Sequence, residues 1–143
     1  MKTQRIMSMN VKCITPEEPL EKAWAIMQSA GIRHLPVRAR GELYGILSDR
    51  DLLVHATRDI DGTMKFPRLT AGDATTFHPI TCLPTASVGR VARMMLEHKI
   101  DSVPVVDAHG KLQGLVTSSD LLKLVSDNEE DEGSLPFTFD LVD

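Results

Sequence analysis

The amino-acid sequence predicts an α+β fold in which two copies of one βαββα unit pack with pseudo-two-fold symmetry into a compact module. Three observations carry that prediction. The length, 143 residues, suits one domain or a close pair of small ones. The composition, 42% hydrophobic and 25% charged, is that of a globular protein, and with only 4% aromatic residues and seven methionines its core must be aliphatic and Met-containing. The third observation is the strongest: the chain repeats itself. A shift of 68 residues sets Ile32-Arg33-His34-Leu35-Pro36-Val37 on Ile100-Asp101-Ser102-Val103-Pro104-Val105. A shift of 69 sets Gly45-Ile46-Leu47-Ser48-Asp49-Arg50-Asp51-Leu52-Leu53 on Gly114-Leu115-Val116-Thr117-Ser118-Ser119-Asp120-Leu121-Leu122. The extra residue falls in the intervening turn, and upstream Pro16 and Leu20 meet Pro84 and Val88.

Each half then reads element by element. An extended stretch at Val11–Thr15, repeated at Ile80–Leu83, leads in. Leu20, Ala23, Ile26, Met27 and Ala30 have the spacing of an amphipathic helix, which Gly31 ends because a left-handed cap costs glycine least. Val88, Val91, Met94 and Met95 repeat the stripe, with Ser87 as N-cap and Lys99 near the last turn. Short apolar strands follow at Leu35–Val37 and Val103–Val106. After a Gly-containing turn come second strands at Leu43–Leu47 and Leu112–Val116, then short helices starting near Asp49 and Ser118. Neither half buries much core alone, so the two are expected face to face. Thr57 to Leu69 reads as a polar linker containing a helical turn, and Lys65-Phe66-Pro67-Arg68 within it as a solvated loop.

Charge and sulfur narrow the function. Seven acids and no Lys or Arg lie between Asp127 and Asp143, which leaves 13 acids against 16 bases in residues 1–126. That acidic tail would compete with phosphates for the basic body, so no nucleic-acid partner is expected. The tail itself reads as a solvated, disordered terminus, with Leu135–Phe139 apolar enough to dock on a partner subunit. No apolar run approaches the roughly 18 residues of a membrane span, and no secretory leader is evident. Cys13 and Cys82 are too few for a disulfide framework and, aligned as matching strand positions, read as buried structural thiols of a cytoplasmic protein. Histidines 34, 55, 78, 98 and 109 fall in no metal-ligand spacing, so no metal is expected. There is also no Gly-rich phosphate loop or nucleophile elbow, and no catalytic residues are assigned.

The twice-repeated apolar–x–x–Leu/Val–Pro–Val strand and Gly–apolar–x–Ser/Thr–x–x–Asp element closely resemble a pair of cystathionine β-synthase (CBS) domains, the arrangement called a Bateman module. The resemblance covers roughly residues 6–126, with domain 1 at 6–64, domain 2 at 74–126 and the acidic tail at 127–143. It implies a regulatory module that senses an adenosine-containing ligand: AMP, ADP, ATP, S-adenosylmethionine or NADH. No cofactor is required, and the expected partners are a second copy in a homodimer and an unidentified regulated protein.

The chemistry of the repeated element suits that role. Its glycine would let the backbone pass close to a ligand. The hydroxyl of Ser48 or Thr117 at a helix start can hold a phosphate or ribose oxygen. Asp51 or Asp120 can accept from both ribose hydroxyls. Carried over from the family, one cleft combines Leu115, Thr117, Ser119 and Asp120 with Ser8, Lys12, Ile32 and Arg33. The other combines Ile46, Ser48, Arg50 and Asp51 with Thr76, Ile80, Ile100 and Asp101. Residues before the Pro step face phosphates in the family, which turns Arg33 and His34 toward the Asp51 cleft. Asp101 and Ser102 take the same places at the Asp120 cleft, whose main cation is Lys12. The Asp51 cleft is therefore expected to prefer a phosphorylated ligand. Two other readings remain: a ligand-free dimerisation scaffold, in which Ser48, Thr117 and the two aspartates only cap helices, and an enzyme using the pair Asp101 and His34.

Overall fold

The computed structural model describes residues 1–128. A single 3-10 turn at Thr3–Arg5 precedes α1 (Leu20–Ala30), the hairpin of β1 (His34–Ala39) and β2 (Glu42–Ser48), and α2 (Asp49–Leu53). A small hairpin, β3 (Thr57–Arg58) with β4 (Met64–Lys65), connects to α3 (Ala71–Ala74) and β5 (Thr76–Phe77). The second repeat then gives α4 (Val88–His98), β6 (Ser102–Val106), β7 (Leu112–Thr117) and α5 (Ser118–Asp127). The expected acidic tail lies, from residue 129 on, outside the described residues.

The helices begin and end where their sequences allow. In α1 the buried face is Leu20, Ala23 and Met27, and the chain leaves through Gly31 at φ 64°, whose N–H returns to the Met27 carbonyl. In α4 the Ser87 hydroxyl accepts from Arg90 N at 3.2 Å, and Val91 and Met95 are buried. Lys99, expected near the last turn, is the left-handed residue just beyond it, at φ 53°. A side chain there carries a steric cost on the order of 1 kcal/mol that Gly31 avoids.

Both hairpins carry a bulge at the same place. Val37 faces Gly45 while Arg38 faces Leu43, so Tyr44 is extra; Val105 faces Gly114 while Val106 faces Leu112, so Gln113 is extra. The first turn is tight, with Arg40 and Gly41 both at positive φ, 53° and 80°. Ile14 and Cys82 make parallel bridges to Val37 and Val105. Cys82 therefore corresponds to Ile14, not to Cys13 as the sequence suggested. Cys13 is half-buried, one residue out of step.

What the sequence did not announce is an exchange of strands. Each repeat lends its leading segment to the other's sheet. β5 pairs antiparallel with β2, setting Thr76 opposite Ile46 and Phe77 opposite Gly45. In return Ser8 bridges Leu115, with Ser8 N–H to the Leu115 carbonyl at 2.9 Å and Leu115 N–H back to Ser8 O at 3.1 Å. The segments are anchored just upstream as well: Thr3 N–H and its hydroxyl both donate to Ala86 O at 2.8 Å, and Ala71 N–H donates to Glu18 O at 2.7 Å.

This crossing explains Gly45 and Gly114. Both were expected to admit a ligand, yet both lie inside strands and are closely overlain by the exchanged segment. A Cβ at Gly45 would stand 2.6 Å from both Thr75 Oγ1 and Thr76 O; one at Gly114 would stand 2.7 Å from Ser8 O and 2.8 Å from Met7 Sδ. Beneath each sheet lies a separate core. Ile14, Leu20, Met27, Leu35, Val37, Leu47 and Leu52 fill the first, and Cys82, Val91, Met95, Val103, Val105 and Val116 the second. Each fully buried large side chain contributes roughly 1.5–3 kcal/mol. The linker expectation needs correction: it holds the β3–β4 hairpin, and Phe66 packs on Trp24 with ring centroids 5.9 Å apart. Gly114→Ala and Gly45→Ala are expected to lower stability by about 1–3 kcal/mol in urea denaturation, through overpacking against backbone oxygen. Unchanged midpoints would contradict the close crossing.

Candidate functional site: two clefts built by both repeats

Strand exchange brings the two repeats together around two cavities. The larger, about 680 Å³, is lined by Ile46, Ser48, Arg50 and Asp51 from the first repeat and by Thr76, Ile80, Ile100 and Asp101 from the second. These are all eight residues that the sequence mapping gathered for the Asp51 cleft. Arg33 and His34, which the mapping also turned toward it, line it too, and Asp49, His78, Pro79, Lys99 and Ser102, not assigned to it from sequence, complete its wall. The smaller cavity, about 320 Å³, is lined by Leu115, Thr117 and Ser119 on one side and Ser8, Lys12, Ile32 and Arg33 on the other. Asp120, placed here by the mapping, is not part of that wall; Asn10, Val11, Gly31 and Ser118 are.

The unassigned residues occupy corresponding positions. At the 68-residue shift Asn10 becomes His78 and Gly31 becomes Lys99. His78 and Lys99 both have positive φ, 49° and 53°. Two of the three non-glycine residues in that region among the described residues thus line one cavity.

Ser48 and Asp51 form a reciprocal cap at the start of α2. Asp51 N–H donates to Ser48 Oγ at 3.2 Å, and Ser48 N–H donates to Asp51 Oδ2 at 2.8 Å. At α5 the carboxylate takes both bonds: Thr117 N–H and Thr117 Oγ1 donate to Asp120 Oδ2 at 2.8 and 3.2 Å. A third copy, Thr70 with Asp73 at α3, holds the Asp73 carboxyl below its usual range through the bonds from Thr70. Capping therefore engages one oxygen each of Asp51 and Asp120. Their Oδ1 atoms make no hydrogen bond among the described residues, and Asp51 lines the larger cavity.

Between the cavities stands a charged wall. Asp101 Oδ1 is 2.7 Å from His34 Nε2, and Asp101 Oδ2 is 3.4 Å from Arg33 Nη2. All three residues line both cavities, as the sequence mapping had it for Arg33 and Asp101, whereas it turned His34 toward the Asp51 cleft alone; Ser102, mapped to the smaller, lies at the larger and is buried. Two equivalent backbone bonds hold this wall against the helix starts: Asp49 N–H to Arg33 O and Ser118 N–H to Asp101 O, each 2.9 Å. Among the described residues no group of three His, Cys, Asp or Glu is arranged to hold a metal, and no helix is long and apolar enough to cross a membrane. Burial pushes the Cys82 and Cys13 thiols up, away from reactive thiolate.

Comparison with known proteins decides the family. The CBS domain model matches residues 4–57 and again 71–127. The chain belongs to the CBS domain family. Among solved structures, this CBS pair superposes with a TM-score of 0.77 on CBSX2 in complex with AMP, at 26% identity over 88% of this chain and 96% of that one. With the CBS domain pair of protein MJ0100, in complex with 5'-methylthioadenosine and S-adenosyl-L-methionine, the TM-score is 0.74 at 26% identity, covering 90% of this chain and 98% of that one. The inosine-5'-monophosphate dehydrogenase of Korarchaeum cryptofilum is 32% identical over 112 residues, which are 78% of this chain and 22% of the dehydrogenase. The CBS pair thus spans about a fifth of that relative's length.

Because Ser48 caps α2, Ser48→Ala is expected to cost the ligand-free protein about 1 kcal/mol. Equilibrium unfolding in urea without nucleotide reads this directly; an unaltered midpoint would mean that the hydroxyl serves no capping role.

Proposed function

We propose that this CBS pair is a regulatory module that binds an adenosine-containing ligand in the clefts between its repeats. AMP, ADP, ATP and S-adenosylmethionine are the candidate ligands, and the occupied state passes to a partner protein. The observation that carries the reading is the composition of the larger cleft. Ile46 from one repeat, with Ile80 and Ile100 from the other, supplies apolar surface for an adenine face. The Asp51 carboxylate, with one oxygen uncommitted, suits a ribose hydroxyl, and Arg33, Arg50 and Lys99 suit phosphate. AMP in the CBSX2 complex and the two adenosine compounds in the MJ0100 complex support the ligand class. A ligand gripping both repeats favours one packing of the pair, which is the basis for signalling.

A homodimer through the helices fits the exposure of Leu96 on α4 and of Leu122 and Val125 on α5. Such a dimer serves equally a scaffold with empty clefts, so ligand response separates the two readings. A thermal-shift series with AMP, ADP, ATP, S-adenosylmethionine and GTP is the test. A ligand at about 100 times its dissociation constant adds roughly 2.7 kcal/mol. A rise of several degrees with an adenine ligand, absent with GTP and reduced in Asp51→Ala, is the expected result. No rise with any adenine ligand leaves the scaffold. Turnover of ATP by the pure protein, lost in His34→Ala, would overturn binding without catalysis.

A further inference from the structure

The position that duplication made equivalent at the centre of the module has diverged to opposite charge. Residue 33 is Arg and its counterpart, residue 101, is Asp. The two meet as an ion pair at 3.4 Å, and both line both cavities. We propose that the clefts are coupled through this single shared pair: one polyphosphate nucleotide in the larger cleft weakens binding of a second in the smaller, which accepts an uncharged nucleoside in preference. The proposal rests on the adenine reading for the nucleoside, but its charge argument does not.

Three observations set the direction. First, the pair opens readily on the arginine side. The Arg33 side chain is 65% exposed whereas His34, also on Asp101, is 11% exposed and fixed at 2.7 Å. An exposed pair is worth little, so a phosphate competes well for the guanidinium. Second, the larger cleft attracts the first anion. It holds Arg50 and Lys99 where the smaller has Ser119 and Gly31. Lys99 keeps its place in a left-handed conformation better suited to glycine. Third, once Arg33 turns to that phosphate, Asp101 keeps its Oδ1 contact with His34 but leaves Oδ2 without its cation at the wall of the smaller cleft. Among the described residues, Lys12 is the one cation there that the larger cleft does not share. A carboxylate beside a second polyphosphate repels it, while adenosine feels no such repulsion.

Calorimetric titration of the full chain tests this with three probes: ATP, adenosine and inorganic tripolyphosphate. The wild type is expected to bind one ATP tightly and a second at least about ten-fold more weakly, a typical coupling between sites. Adenosine should still bind the ATP-saturated protein. In Asp101→Asn, or Asp101→Ser should the asparagine impair folding, the second ATP should gain most of that factor back. Two equal ATP sites in the wild type, or a second site unchanged in both variants, would overturn the coupling. If neither ATP nor adenosine binds, the adenine reading fails, and tripolyphosphate alone decides the charge argument. One bound in the wild type and two in Asp101→Asn sustains it; equal stoichiometry, or no binding, overturns it.

Discussion

The structure depends on one steric constraint: a chain segment from each repeat crosses a strand of the other at a glycine. At Gly45 and Gly114 the overlying backbone oxygen comes so near that no side chain fits between. That closeness lets Thr76 pair with Ile46, and Ser8 with Leu115. Without it the two small cores would be neighbours with no shared sheet. With it, each cleft has one wall from each repeat, and neither repeat can shift without altering both cavities.

The same economy governs the carboxylates. Asp51 and Asp120 hold helix starts with one oxygen each. The Ser48–Asp51 cap thus leaves one oxygen of a cavity-lining carboxylate uncommitted, so capping does not exclude the proposed binding. The two clefts inherited the same plan but have diverged in charge. Arg50, His78 and Lys99 stand where the other cleft has Ser119, Asn10 and Gly31. The wall between them is a single Arg33–Asp101–His34 contact.

Much of this was legible in the sequence, and the reasons for the rest are physical. The repeat, the helices α1 and α4 with their caps at Gly31 and Ser87, the β1–β2 and β6–β7 hairpins and eight of the residues that line the larger cleft could be read from local pattern and family resemblance. The exchange could not. Thr3–Ser8 and Ala71–Thr76 share almost no residue types, and a bridge between Ser8 and Leu115, far apart in the chain, leaves no periodicity. Gly45 and Gly114 were noticed, but a glycine says only that something passes close. Cys13 and Cys82 misled because matching residue identity outweighed register: the backbone pairs Ile14, not Cys13, at the place of Cys82. The β3–β4 hairpin escaped because two-residue strands among polar residues carry no alternation to detect.

Amide hydrogen exchange at Ser8 tests the exchanged-strand architecture most directly. Its N–H is bonded to Leu115 O at 2.9 Å in the other repeat, while its side chain is exposed. The account predicts that Ser8 N–H exchanges as slowly as Leu115 N–H, its reciprocal partner, and that both become slower together when a ligand fills the smaller cleft. Exchange of Ser8 at the rate of an unstructured peptide, with Leu115 still protected, would contradict the strand exchange and the composite clefts that depend on it.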